Sequence, residues 1–102
     1  MTREQKIEYI AKHYGFENQC RQAVEEMAEL TKEICKYQRV MSQKPINQTE
    51  LSRTFYNLAC EIADVEIMIQ QLKCLTDTKV VELEIDGKLE RQLKRIEEES
   101  TY

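Results

Sequence analysis

Glycine and proline are scarce in this chain: two and one respectively in 102 residues. Strand-rich folds need many turns, so so few turn-formers predict long helices. Long apolar runs are missing as well. The longest are only a few residues, against the ~20 that a membrane span needs, and the first residues, MTREQKIEY, are charged with no apolar signal core. A soluble, intracellular, cytoplasmic protein with no membrane partner is expected. There is no basic surplus: 33% of residues are charged and the net charge is −4, which speaks against a nucleic-acid partner. No CxxC pair occurs. Cys20, Cys35, Cys60 and Cys74 are widely spaced in apolar helical contexts, and the expectation is buried, reduced thiols rather than zinc or disulfide chemistry. His13 is the only histidine and lies in a charged stretch, which sets aside Ser-His or Cys-His catalysis.

What is present is helical periodicity. The length fits a single domain over residues 1–102. So small a domain buries only about 60–70% of the surface its unfolded chain exposes, and self-association is expected from the start. A first helix is predicted from Thr2 to His13, with Thr2 and Gln5 as a capping box and Gly15 as the stop. A second runs from Phe16 to Val40 with the apolar stripe Cys20, Ala23, Met27, Leu30 and Ile34. A loop over Met41–Thr49 follows, with Thr49 as the N-cap of a third helix from Glu50 to Leu75. Thr76-Asp77-Thr78 caps a fourth, from Lys79 to Glu98, whose face is Val81, Ile85, Leu89, Leu93 and Ile96. The end, EEESTY, is expected to fray. The predicted fold is all-α: an antiparallel bundle of about four helices, oligomeric.

The second and third helices echo each other. AVEEMAEL at 23–30 aligns with LACEIADV at 58–65, matching Glu26 to Glu61 and Glu29 to Asp64. Each acidic pair is spaced i, i+3 and lies on one helical face, beside the apolar stripe at the same offset. Consecutive helices joined by a modest loop usually pack antiparallel, so the two pairs can converge. From Leu58 to Ile69 nine of twelve residues are apolar, which predicts a third helix buried nearly all round. Like charges ~4 Å apart repel by about 4 kcal/mol at an effective dielectric near 20, so four gathered carboxylates need a counterion. Oxygen ligands without His or Cys point to Mg²⁺, with Mn²⁺ possible. A solvated acidic face paired with lysines would explain the second helix alone; the matching offset in both helices favours a metal site.

At these residues the chain resembles the MazG-like family of all-α nucleoside triphosphate pyrophosphohydrolases. The family pattern of EExxE followed by ExxD reads here as Glu25-Glu26-Met27-Ala28-Glu29 and Glu61-Ile62-Ala63-Asp64, with Lys36 after the first motif and NLACEIADVEIMIQQL around the second. The resemblance covers roughly residues 15–96. It implies metal ligation by Glu26, Glu29, Glu61 and Asp64, and Mg²⁺-dependent hydrolysis of a nucleoside triphosphate to monophosphate and pyrophosphate. The stretch between the motifs is long for the compact members, which leaves the 41–49 loop without an assigned role.

A polyanionic substrate facing four carboxylates also needs positive charge. Lys36, Lys88, Arg91 and Arg95 are the phosphate-contact candidates, the last three on one face of the fourth helix. Asn57, one turn before Glu61, is a candidate for the sugar or base, and Phe16 or Tyr56 for stacking. Glu25 and Glu33 are weaker candidates for supporting roles. A homodimer or tetramer is expected, because Cys60, Ile67 and Cys74 form a second apolar strip on the third helix that so small a chain cannot cover; the resemblance further implies sites near subunit contacts, where Arg91 or Arg95 could serve a neighbour. Two alternatives remain open: an activity like that of phosphoribosyl-ATP pyrophosphohydrolases, and a non-enzymatic helical interaction module.

Overall fold

Local capping chemistry sets the helix boundaries. In the computed structural model, which describes residues 1–100, α1 spans Arg3–Tyr14 and begins at the expected capping box: the Gln5 amide donates to Thr2 Oγ1 at 3.1 Å and the Thr2 amide to Gln5 Oε1 at 2.8 Å. Two otherwise unpaired donors are thereby satisfied. Gly15 ends α1 at φ 81°, a conformation that side-chain-bearing residues rarely adopt. Its amide donates to the Ala11 carbonyl and its carbonyl accepts from Gln19, so one residue closes α1 and opens α2, Phe16–Met41. The loop is shorter than expected, because α3 (Gln48–Cys74) is capped by Asn47, whose side chain accepts from the Glu50 amide at 3.0 Å. Asn47 rather than Thr49 thus caps α3; an Asn side chain reaches a backbone amide from a turn as well as Thr does. Asp77 caps α4, Thr78–Glu99. That helix persists through the glutamates expected to fray, with Ser100 as its C-cap, whereas Thr101 and Tyr102 lie outside the described residues.

The described residues are therefore all-helical, with four helices and no strand. None of these helices is long and apolar enough to cross a membrane.

Packing centres on the α2–α3 seam, with α1 laid across its open end and touching both helices. Ile7 and Ala11 of α1, Ala23 and Val40 of α2, and Val65 and Met68 of α3 are buried there. Tyr37 and Phe55 meet with ring centroids 6.2 Å apart. Buried among these apolar groups are Gln19, Glu33, Thr54 and Gln71. Thr54 is satisfied by donating back to the Glu50 and Leu51 carbonyls.

The seam is offset from the expected stripes. On α2 the covered line is Gln19, Ala23, Glu33 and Val40, whereas Met27 and Ile34 are exposed. On α3 it is Thr54, Val65, Met68 and Gln71, whereas Phe55, Ile62 and Ile69 are exposed. The helices meet on the faces that carry the acids and leave part of each apolar stripe outside. α3 is accordingly not buried all round, since three helices of one chain cover only one side of it. The cysteines are corrected on the same ground: all are free, but Cys20 is half-buried and Cys35, Cys60 and Cys74 are exposed.

α4 stands apart. It touches only α3, is tied at its start by a Lys73–Glu82 ion pair, and buries no residue. Leu83 is 72% exposed and Ile96 62%. The radius of gyration, 17.8 Å, exceeds the ~13 Å of a compact chain of this length.

Candidate metal centre and the clefts beside it

The acidic echo converges where the two helices cross the middle of the seam. Carboxylate oxygens of Glu26 on α2 and of Glu61 and Asp64 on α3 all lie within 4.8 Å of one another. Glu26 and Glu61 are half-buried and Asp64 is exposed. The i, i+3 spacing sets Glu61 and Asp64 side by side, and the offset seam turns Glu26 toward them.

Acidic groups on exposed helices commonly gather without an ion. Two details set this group apart. Glu61 Oε2 is buried and accepts no hydrogen bond, and the same holds for Oε2 of Glu33, a residue only 8% exposed. Buried carboxylate oxygens are ordinarily paired, since stripping them of water without a partner is costly. Burial holds the Glu61 carboxyl above its ordinary range, and the negative charges of Asp64, Glu26, Glu29 and Glu33 push it the same way. A divalent cation would reverse both effects, supplying the missing partner and favouring the ionised form. The donor set fits a hard ion: oxygens alone, with no His or Cys among them.

Glu29 lies outside the trio, exposed on α2, yet near enough for its charge to raise the Glu61 carboxyl. Glu33 enters as a buried neighbour. Its Oε1 pairs with Lys36 Nζ at 3.4 Å while its Oε2 has no partner. Glu26 Oε1 accepts from Gln22 Nε2 at 2.9 Å.

Two of the five substrate-contact candidates are brought together. Lys36 and Asn57 line a cleft of about 500 Å³ at the loop end of the seam, with Arg39, Arg53, Gln43 and Glu50. Arg39 and Arg53 were missed by the sequence reading, although the signal was available. Lys36 and Arg39 continue the acidic face of α2 by one helical turn, and Arg53 precedes Asn57 by four residues on α3. Lys88, Arg91 and Arg95 are not brought to the trio: α4 makes no contact with α2, and Arg91 lines only a shallow groove on α4 itself with Glu90, Leu93, Lys94 and Glu97. Phe16 and Tyr56 are exposed. At the opposite end of the seam a second cleft, of about 650 Å³, is lined by Tyr14, Gln19, Gln22, Met68 and Gln71 among others.

Comparison of the chain with protein-family models, with curated proteins and with solved structures finds no match in any of the three.

Proposed function

We propose that the chain is a divalent-cation-dependent nucleotide pyrophosphohydrolase of the MazG-like kind, converting a nucleoside triphosphate to its monophosphate and pyrophosphate. The observation that carries the reading is the meeting of Glu26 with Glu61 and Asp64 around buried carboxylate oxygens that have no partner. Glu26, Glu61 and Asp64 would hold Mg²⁺, with Mn²⁺ as a substitute, and Glu29 stands ready as a fourth ligand. When bound, the ion neutralises charge developing on the phosphate oxygens and orients the attacking water. Water attacks the α-phosphorus, the bond from that phosphorus to the α–β bridging oxygen breaks, and pyrophosphate leaves with that oxygen. A carboxylate not fully used by the ion accepts the water's proton. Lys36, Arg39 and Arg53 offer positive charge to the outgoing phosphates.

In this reading α2 and α3 run antiparallel, as supported by the pairing of Gln19 with Met68 and Gln71 at one end and of Tyr37 with Phe55 at the other. The chain works as a homodimer or tetramer, which would cover the exposed faces of α3 and α4 and bring Lys88, Arg91 or Arg95 to a neighbour's site. Four free cysteines fit a reducing, cytoplasmic setting. The test is a panel of nucleoside triphosphates with Mg²⁺, scored for pyrophosphate against orthophosphate. Pyrophosphate release that chelation abolishes is expected. Absence of turnover together with absence of any metal effect on stability would favour a helical interaction module instead.

A further inference from the structure

Three cations from two helices line the cleft at the loop end of the seam: Lys36 and Arg39 on α2, and Arg53 on α3. One acid, Glu50, shares the lining with them. Like charges gathered in this way repel without a counterion. Lys36 has part of one, since Glu33 lies 3.4 Å away. Arg39 and Arg53 are exposed, and neither pairs with a carboxylate among the described residues. Their guanidinium groups are open to an anionic ligand, in a chain whose net charge is −4.

The cleft adjoins the acidic trio. Asn57, which lines it, precedes Glu61 by one turn of α3, a separation of about 5–6 Å between Cβ atoms. On α2, Glu33 joins the two: one of its oxygens pairs with Lys36, and its charge reaches Glu61. The cleft is also ordered. Lys36 and Asn57 stand nearer the trio, and Arg39 and Arg53 follow about a turn further out on their helices. One turn is about 5.4 Å of helix axis. That step suits two linked phosphates, one held at each level, whereas a single phosphate meets one level alone.

We propose that this cleft is a pyrophosphate site: Lys36 and Asn57 hold the phosphate beside the scissile bond, Arg39 and Arg53 hold the terminal one, the arginines thereby select nucleoside triphosphates over diphosphates, and pyrophosphate inhibits as a retained product. The ligand rests on the pyrophosphohydrolase reading. A guanidinium presents a planar fork of donors that meets two phosphate oxygens at once. Hydrolysis breaks only the bond to the α-phosphorus, so the departing pyrophosphate keeps both sets of contacts until it dissociates. A diphosphate split at the same bond leaves the arginine level empty, and its orthophosphate is held by Lys36 and Asn57 alone.

Calorimetry of the full chain with inorganic pyrophosphate, in a chelating buffer without metal, tests the site apart from any activity. Pyrophosphate should bind, and orthophosphate should bind about tenfold more weakly. Arg39→Ala and Arg53→Ala should each weaken pyrophosphate by about tenfold, the loss of a charge-assisted contact, and leave orthophosphate unchanged. Both side chains are exposed, so the helical content should stay the same. Asp64→Asn, in the trio, should not weaken pyrophosphate. Kinetics with Mg²⁺ then compare each nucleoside triphosphate of the panel with its diphosphate. The triphosphate should be favoured in kcat/KM by about a hundredfold, from two arginine contacts, and pyrophosphate should inhibit competitively. Arg53→Ala should cut that preference about tenfold by raising KM for the triphosphate only. Pyrophosphate bound no better than orthophosphate, binding indifferent to both arginines, or a preference that survives both substitutions would overturn the site. Arginine-dependent pyrophosphate binding without nucleotide turnover sinks the activity and keeps the site; turnover with pyrophosphate binding that ignores the arginines does the reverse.

Discussion

Glu26 on α2 and Glu61 on α3 bring carboxylate oxygens within 4.8 Å of each other, and the Glu61 oxygen Oε2 is buried without a hydrogen-bond partner. Burial above all, and then the like charges of Asp64, Glu26, Glu29 and Glu33, raise the proton affinity of Glu61. The relationship is unfavourable for the bare chain and favourable for one that holds a divalent cation.

Glu61→Gln and Asp64→Asn should each lower pyrophosphate release by about 1,000-fold, corresponding to several kcal/mol of lost charge stabilisation in the transition state. Far-ultraviolet circular dichroism should stay unchanged, because neither side chain carries the packing of the seam. Parental turnover in both variants would refute the assignment of the site.

The pH dependence of stability has a definite sign. The folded-state affinity of Glu61 for its proton is raised above the ordinary 4.5, so between the unfolded and folded values the folded chain binds more protons. The contribution of Glu61 to stability therefore falls as pH rises through its folded value. In the metal-free protein Glu61→Gln should raise the Tm at neutral pH and lose that advantage as pH falls toward 4.5. Thermal melts in a chelating buffer across this range read the effect. A variant less stable than the parent at neutral pH would contradict it.

Mg²⁺ should stabilise the parent by mass action, by about 2.7 kcal/mol at a hundred times its dissociation constant. For a chain of this size that is a Tm rise on the order of 10 °C or more. The same titration on Glu61→Gln should give a much smaller rise. Equal rises in parent and variant would show that the ion binds elsewhere.

Self-association is expected from the exposed faces of α3 and α4. Leu83, Leu89, Leu93 and Ile96 are exposed along α4, and Ile62, Ile67 and Ile69 along α3. Burying such residues is worth roughly 25 cal/mol for each Å² removed from water. Light scattering should give a dimer or tetramer, and Leu93→Glu should shift it toward monomer. A parent that remains near 12.2 kDa at micromolar concentration would refute the oligomer.

Gly15→Ala should destabilise the chain by about 1–3 kcal/mol, the cost for a residue with a Cβ of the extended positive-φ backbone that glycine adopts here (φ 81°, ψ 165°). An added Cβ meets nothing within 4 Å, so the penalty would come from φ 81° alone. Chemical denaturation measures it, and a neutral substitution would show that the α1–α2 junction relaxes.

Much of this architecture was written in local sequence. Thr2 with Gln5, Gly15 and Asp77 mark helix ends because capping is a matter of a few neighbouring residues. The paired acids at 26, 29, 61 and 64 were legible because helical spacing alone places i and i+3 on one face. Tertiary structure decided what depends on which faces meet. The seam formed on the acid-bearing sides, so Glu33 became buried, Glu29 stayed outside the trio, and Met27, Ile34, Ile62 and Ile69 were left exposed. Periodicity gives each helix an apolar side but not its rotation against a neighbour, since that rotation balances the packing of all helices at once. Lys36, Arg39, Arg53 and Asn57 share a cleft for the same reason: they come from two helices, and only the seam sets their register.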